Sequence, residues 1–103
     1  MQLAIPWAAG IIEGEGHFEI SKNDRHCRIN VAMTDLDVLQ RLQDLFGGTI
    51  RPQKQCESHH KPCWIWRLGK RQEVTQAIEQ LLPWLGLRRS YQALNVLDHY
   101  DGI

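Results

Sequence analysis

Pro6-Trp7-Ala8-Ala9-Gly10-Ile11-Ile12-Glu13-Gly14-Glu15-Gly16 is the stretch whose reading decides the fold. It reads as a short apolar helix that opens on a proline and ends in two carboxylates set between glycines. Pro6 suits the first helical position, where its missing N–H has no partner to lose. Gly14 and Gly16 suit the exit, where a residue of positive φ commonly closes a helix. The charge runs against local physics. A carboxylate at a helix C-terminus meets the negative end of the helix dipole, which costs roughly 0.3–1 kcal/mol. Glu13 and Glu15 gain nothing from their helix, and a cation held beside them reverses the sign.

Ala8, Ala9, Gly10 and Gly14 leave one side of this helix almost without side chains. Gly10 and Gly14 are four residues apart and share a face, which lets another backbone come close. If that neighbour is the same helix of a second copy, a two-fold axis brings two Glu15 carboxylates together. Carboxylates that close repel, and a divalent metal relieves the repulsion.

Ala8-Ala9-Gly10-Ile11-Ile12-Glu13-Gly14-Glu15-Gly16 resembles the signature of the LAGLIDADG homing endonucleases, in a Gly-Glu-Gly variant. The resemblance implies that Glu15 is the metal-binding, catalytic acid and that the Gly14 carbonyl joins it as a metal ligand. It implies a mainly structural Glu13, and a dimer interface through Ala9, Gly10, Glu13 and Gly14. The implied cofactor is Mg²⁺ and the implied substrate double-stranded DNA.

The rest of the chain has the pattern such a fold requires. Its 103 residues predict one domain over 1–103. After Gly16 the period changes to strand-like alternation: Phe18 and Ile20 share one face of a strand at 17–21. Asn23-Asp24 makes a turn, and a second strand has Cys27, Ile29, Val31 and Met33 inward and Arg28 and Asn30 outward. Leu36, Leu39, Leu42, Leu45 and Phe46 predict a helix that Gly47-Gly48 stops. A third strand starts at Thr49, and Pro52 to Pro62 reads as a loop. The fourth strand, 63–68, has Trp64, Trp66 and Leu68 on one face. A helix over about 72–82 and a final one over 88–100, with Ala93, Leu94 and Leu97 as its apolar side, complete an α+β order. That order matches the αββαββα homing-endonuclease fold with its saddle-shaped antiparallel sheet. Leu81 to Arg89 resembles the family's stretch before its last helix. There Arg88 falls nearest the position of a basic catalytic residue, with Arg89 next. Met33 departs from a polar family position, which leaves the water-positioning group open between Asn30 and Thr34.

Formal net charge is zero, so composition does not by itself announce a nucleic-acid partner. The charge distribution fits one. The strands and loops of 17–34 and 48–69 carry Lys22, Arg25, Arg28, Arg51, Lys54, Lys61 and Arg67 against only Glu19, Asp24 and Glu57. One basic face of strands can therefore enter a DNA groove. His17, Glu19, Ser21 and Asn23 share outward parity there, as do Arg28 with Asn30, Arg51 with Gln53, and Ile65 with Arg67. The resemblance implies that these positions contact DNA.

Cys56, His59, His60 and Cys63 are zinc ligand types, but their crowding in one short loop disfavours structural zinc. Three cysteines in no disulfide framework point to a reducing cytoplasm. The apolar opening from Leu3 to Ile12, broken by Pro6 and Gly10, reads as neither signal peptide nor membrane span. The leading expectation is a homodimeric, Mg²⁺-dependent endonuclease acting on a pseudo-palindromic site, and the resemblance implies that its cuts leave short 3′ overhangs. The alternatives are a nucleic-acid-binding module or intron maturase of the same fold, and a small zinc-stabilised interaction domain.

Overall fold

Alternation in the strands and a helical period elsewhere sort the apolar residues onto one side of a single sheet. The computed structural model describes residues 4–21, 26–53 and 62–101. In chain order these form α1 (Ala4–Glu15), β1 (Gly16–Ile20), β2 (Cys27–Met33), α2 (Leu36–Phe46), β3 (Thr49–Gln53), β4 (Cys63–Leu68), α3 (Arg71–Leu81), a 3₁₀ turn (Leu82–Trp84) and α4 (Leu87–Asp101). The sheet is antiparallel throughout, in the order β1-β2-β4-β3.

The inner face carries Phe18, Ile29, Val31, Trp66 and Leu68. Against it pack Ala8 and Ile12 of α1, Leu39, Leu42 and Phe46 of α2, Val74 and Ile78 of α3, and Ala93 and Val96 of α4. Burying each of the Val, Leu, Ile and Phe side chains among them contributes about 1.5–3 kcal/mol. Trp66 is fully buried, and its indole Nε1 donates to the Gly47 carbonyl at 2.8 Å. That bond ties the end of α2 to the middle of the sheet. Gly47 and Gly48 both have φ of +90°, and a Cβ on Gly48 would lie 2.6 Å from the Arg67 carbonyl oxygen. Under α4, the Tyr100 hydroxyl donates to the Cys27 carbonyl at 3.4 Å, and burial pushes the Tyr100 pKa up to about 12.

Several local expectations shift. Helix α1 is already formed at Ala4, so Pro6 sits within its first turn rather than at its first position. That turn's N–H groups have no acceptors either. Gly14 and Gly16 do not adopt positive φ; among the described glycines only Gly47 and Gly48 do. Gly16 is required for space instead, because a Cβ there would meet the Ile12 carbonyl oxygen at 2.6 Å. Strand β3 runs through Pro52 and Gln53, where the sequence suggested a loop. An edge strand tolerates proline, since one of its sides has no ladder to complete. The inward stripe of α4 is Arg89, Ala93, Val96 and Tyr100, while Leu94 is 42% exposed. Leu45 of α2 likewise faces out. No helix among the described residues is long and apolar enough to cross a membrane.

Candidate nucleic-acid interface and its carboxylate

All four helices cover one face of the sheet, and the strand residues of opposite parity form the other. In register across it run His17, Asn30, Arg67 and Thr49, one from each strand. The neighbouring rows pair Glu19 with Arg28 on one side, and Ala32, Ile65 and Arg51 on the other. His17, Arg51, Gln53 and Arg67 are exposed; Glu19, Arg28 and Ile65 are half-buried. Ser21 lies just past β1, where its N–H donates to the His26 carbonyl at 2.9 Å. Asn23 falls outside the described residues.

Two arginines on this face are already engaged. Arg28 Nη1 bonds Glu19 Oε1 at 2.8 Å, directly across the β1–β2 pair. Arg67 donates its Nε to Asn30 Oδ1 at 3.0 Å. Asn30 is only 8% exposed, so it lies beneath the arginine rather than at the outermost surface. Thr49, which the sequence reading passed over, stands beside Arg67 in the same row.

The exit of α1 is built around Glu13. Its Oε1 accepts the Gly86 backbone N–H at 2.7 Å, and its carbonyl accepts Arg89 Nε at 3.2 Å. Arg89, 8% exposed, also donates Nη1 to Gln92 Oε1 at 2.9 Å. An orphan C-terminal carbonyl thus finds a donor, and a guanidinium faces the negative end of the helix. The first of the two awkward carboxylates is thereby explained within one copy of the chain. Glu15 is not. It is exposed at the last position of α1, and among the described residues nothing bonds its carboxylate. It directly precedes β1, the edge strand that carries His17 and Glu19. Arg88 is exposed beside Arg89, on the turn that the Glu13 bond holds against the exit of α1. The sequence placed Arg88 ahead of Arg89; in the structure Arg88 is open and Arg89 is committed to α1.

On the side of α1 away from the core, Gly10 and Gly14 are exposed, and a Cβ built on either meets nothing within 4 Å. Ala9 lies within the chain's own core rather than on this open side. Trp7, half-buried, flanks it, with the Arg41 guanidinium stacked 3.8 Å from the ring centroid. Among the described residues no three acids, histidines or cysteines gather into a metal-ion cluster. Cys56, His59 and His60 lie outside the described residues. Cys63 is buried, with Sγ 4.0 Å from Gln53 Oε1.

An antiparallel sheet covered on one face by helices defines a class of fold, and solved structures share it. An archaeal intron-encoded homing endonuclease, I-Vdi141I, complexed with DNA, superposes with a TM-score of 0.75 at 16% identity, over 93% of this chain and 65% of that one. The homing endonuclease I-CvuI in complex with its target superposes at 0.72 with 23% identity, over 94% of this chain and 65% of that one. No protein-family model matches the chain. A 46-residue segment is 44% identical to the intron-encoded RNA maturase bI4 of Saccharomyces cerevisiae, and 37% identical to a probable intron-encoded endonuclease aI2 of Debaryomyces hansenii. The segment is 44% of this chain and 7% of each of those proteins. The chain has the LAGLIDADG homing-endonuclease fold, and its relatives carry intron-encoded endonuclease and maturase names.

Proposed function

We propose that this chain is a site-specific, divalent-metal-dependent DNA endonuclease that works as a homodimer. The observation that carries the reading is Glu15: an exposed carboxylate with no partner among the described residues, ending a helix whose outer side is bare at Gly10 and Gly14. Two copies docked through that side bring two such carboxylates to one axis. A double-strand break needs two reaction centres, and one chain offers one acid.

The residues fit Mg²⁺ as a shared ion rather than as a protein-caged one. Mg²⁺ takes oxygen ligands and commonly keeps only one or two carboxylates, with phosphate and water completing its shell. Glu15 and the Gly14 carbonyl supply oxygens where α1 meets β1, and a phosphodiester can supply more. When bound, the metal polarises the phosphate and lowers the pKa of water. The chain's own residues do the rest. The outer sheet face holds the duplex through Arg51, Arg67 and His17. Arg88, always protonated, offers its donor fork to charge that builds on the phosphate. Glu13 and Arg89 hold the α1 exit still, so that Glu15 is presented in one position. A pseudo-palindromic site follows from the two-fold axis, and short 3′ overhangs from cuts across the minor groove, the family's geometry.

One observation favours a second reading. The relative of highest identity reported above is named an RNA maturase. A chain that only binds structured intron RNA needs the basic sheet face but not Glu15. Incubation with a randomised duplex library in Mg²⁺, with EDTA as control, tests the proposal. Metal-dependent enrichment of one cut, pseudo-palindromic sequence supports it. Intact library beside tight, selective intron RNA binding supports the maturase reading instead.

A further inference from the structure

Two of the arginines on the outer face, Arg28 and Arg67, are held in different ways. Arg28 spends part of its terminal fork on Glu19, because Nη1 is the bonded atom at 2.8 Å. Arg67 is held by the opposite end. Its Nε donates to Asn30 Oδ1 at 3.0 Å, and among the described residues no bond takes either terminal nitrogen. The remaining fork, two parallel N–H donors at fixed spacing, matches the O6 and N7 acceptors on the major-groove edge of guanine. Asn30 is suited to hold it, since at 8% exposure it has little freedom of its own. Arg67 sits on an inner strand, beside a depression of about 90 Å³ whose other walls are Thr49, Arg51 and Ile65. A base edge approaching the open face therefore finds the fork already presented, with space beside it.

Resting on the DNA-binding reading above, we propose that Arg67 reads a guanine in each half-site and that Asn30 is its positioning residue, not a DNA contact. Strand register makes the pair: Asn30 and Arg67 are direct cross-strand partners on β2 and β4. The division of labour on this face follows. Arg67 specifies a base, while Arg28, with its fork engaged by Glu19, contributes charge toward the backbone.

The test selects duplexes from a randomised library in Ca²⁺, then measures binding to the selected site and to its single-base variants by fluorescence anisotropy. Wild-type protein is expected to require guanine at one symmetric position per half-site. Arg67→Ala should abolish that preference alone, with a loss of discrimination of roughly five- to hundredfold, the worth of one bidentate contact. Asn30→Ala should lower it roughly two- to tenfold, the cost of ordering one freed long side chain on binding. Asn30→Asp, which keeps an acceptor at the same place, should restore it; a merely structural asparagine gives no such base-specific signature. Thermal melts run beside these variants show that each is folded. An unchanged base profile in Asn30→Ala, or a uniform loss across all sequences in Arg67→Ala, overturns the inference while leaving DNA binding standing. Absence of any selective duplex binding by the wild type overturns the inference and the DNA-binding reading together.

Discussion

Gly10→Ala should act with opposite sign on the single copy and on the pair. In the single copy a Cβ at residue 10 meets nothing within 4 Å, so the substitution adds no clash. Gly10 lies well inside α1, and alanine at an interior helical position is better than glycine by about 0.8–1 kcal/mol. The isolated fold should therefore gain about that much, a factor of roughly five in its folding equilibrium. If two copies of α1 pack closely through this side, the same methyl is overpacked. Overpacking costs about 1–3 kcal/mol per site, and symmetry doubles it to about 2–6 kcal/mol, which weakens dimerisation at least roughly thirtyfold. The assay is urea denaturation at concentrations low enough to dissociate the pair, alongside sedimentation equilibrium. A higher midpoint in the first and a weaker dimer in the second are expected. A stabilised variant whose self-association and cleavage equal those of the wild type refutes the close-approach reasoning.

Other variants test other joints of the structure. Arg89→Ala, which strips the Glu13 carbonyl of its donor, should destabilise the fold by about 1.5–3 kcal/mol in denaturant titrations. Arg88→Ala should leave the melting midpoint within about 0.5 kcal/mol yet slow DNA cutting. Gly16→Ala, with a Cβ 2.6 Å from the Ile12 carbonyl, should cost about 1–3 kcal/mol by displacing the helix-to-strand exit, read as a lowered midpoint. Tyr100 binds its proton more tightly folded than unfolded, so its contribution is complete below pH 10 and disappears as pH rises toward about 12. Stability measured across that range should fall in the wild type and fall less steeply in Tyr100→Phe.

The architecture was largely readable because one physical rule governs it: each strand alternates and each helix repeats at 3.6 residues. The exceptions have the same origin. Leu94 is apolar and looked inward, but the helix phase is set by Ala93, Val96 and Tyr100, which turns Leu94 outward. Pro52 looked like a loop residue because only the strand order reveals that β3 is an edge. Side-chain partnerships were less accessible. Glu13 finds Gly86 and Arg89 across more than seventy residues of chain, and no local pattern announces such a meeting. Asn30 under Arg67 needs the β2–β4 register, which nothing in either strand alone reveals. The opposite holds for Glu15. Its unfavourable place at a helix end was visible in the sequence, and the structure relieves Glu13 there but not Glu15.

The most direct measurement compares Glu15→Gln with the wild type on one selected duplex, following binding in Ca²⁺ and cutting in Mg²⁺. The amide keeps the size of the side chain and removes the charge proposed to hold a cation. Binding should stay within about threefold, whereas cutting should fall by roughly a thousandfold or more, the loss of several kcal/mol of metal-assisted stabilisation. Cutting at the wild-type rate by the glutamine variant would contradict the central claim that this carboxylate holds the metal.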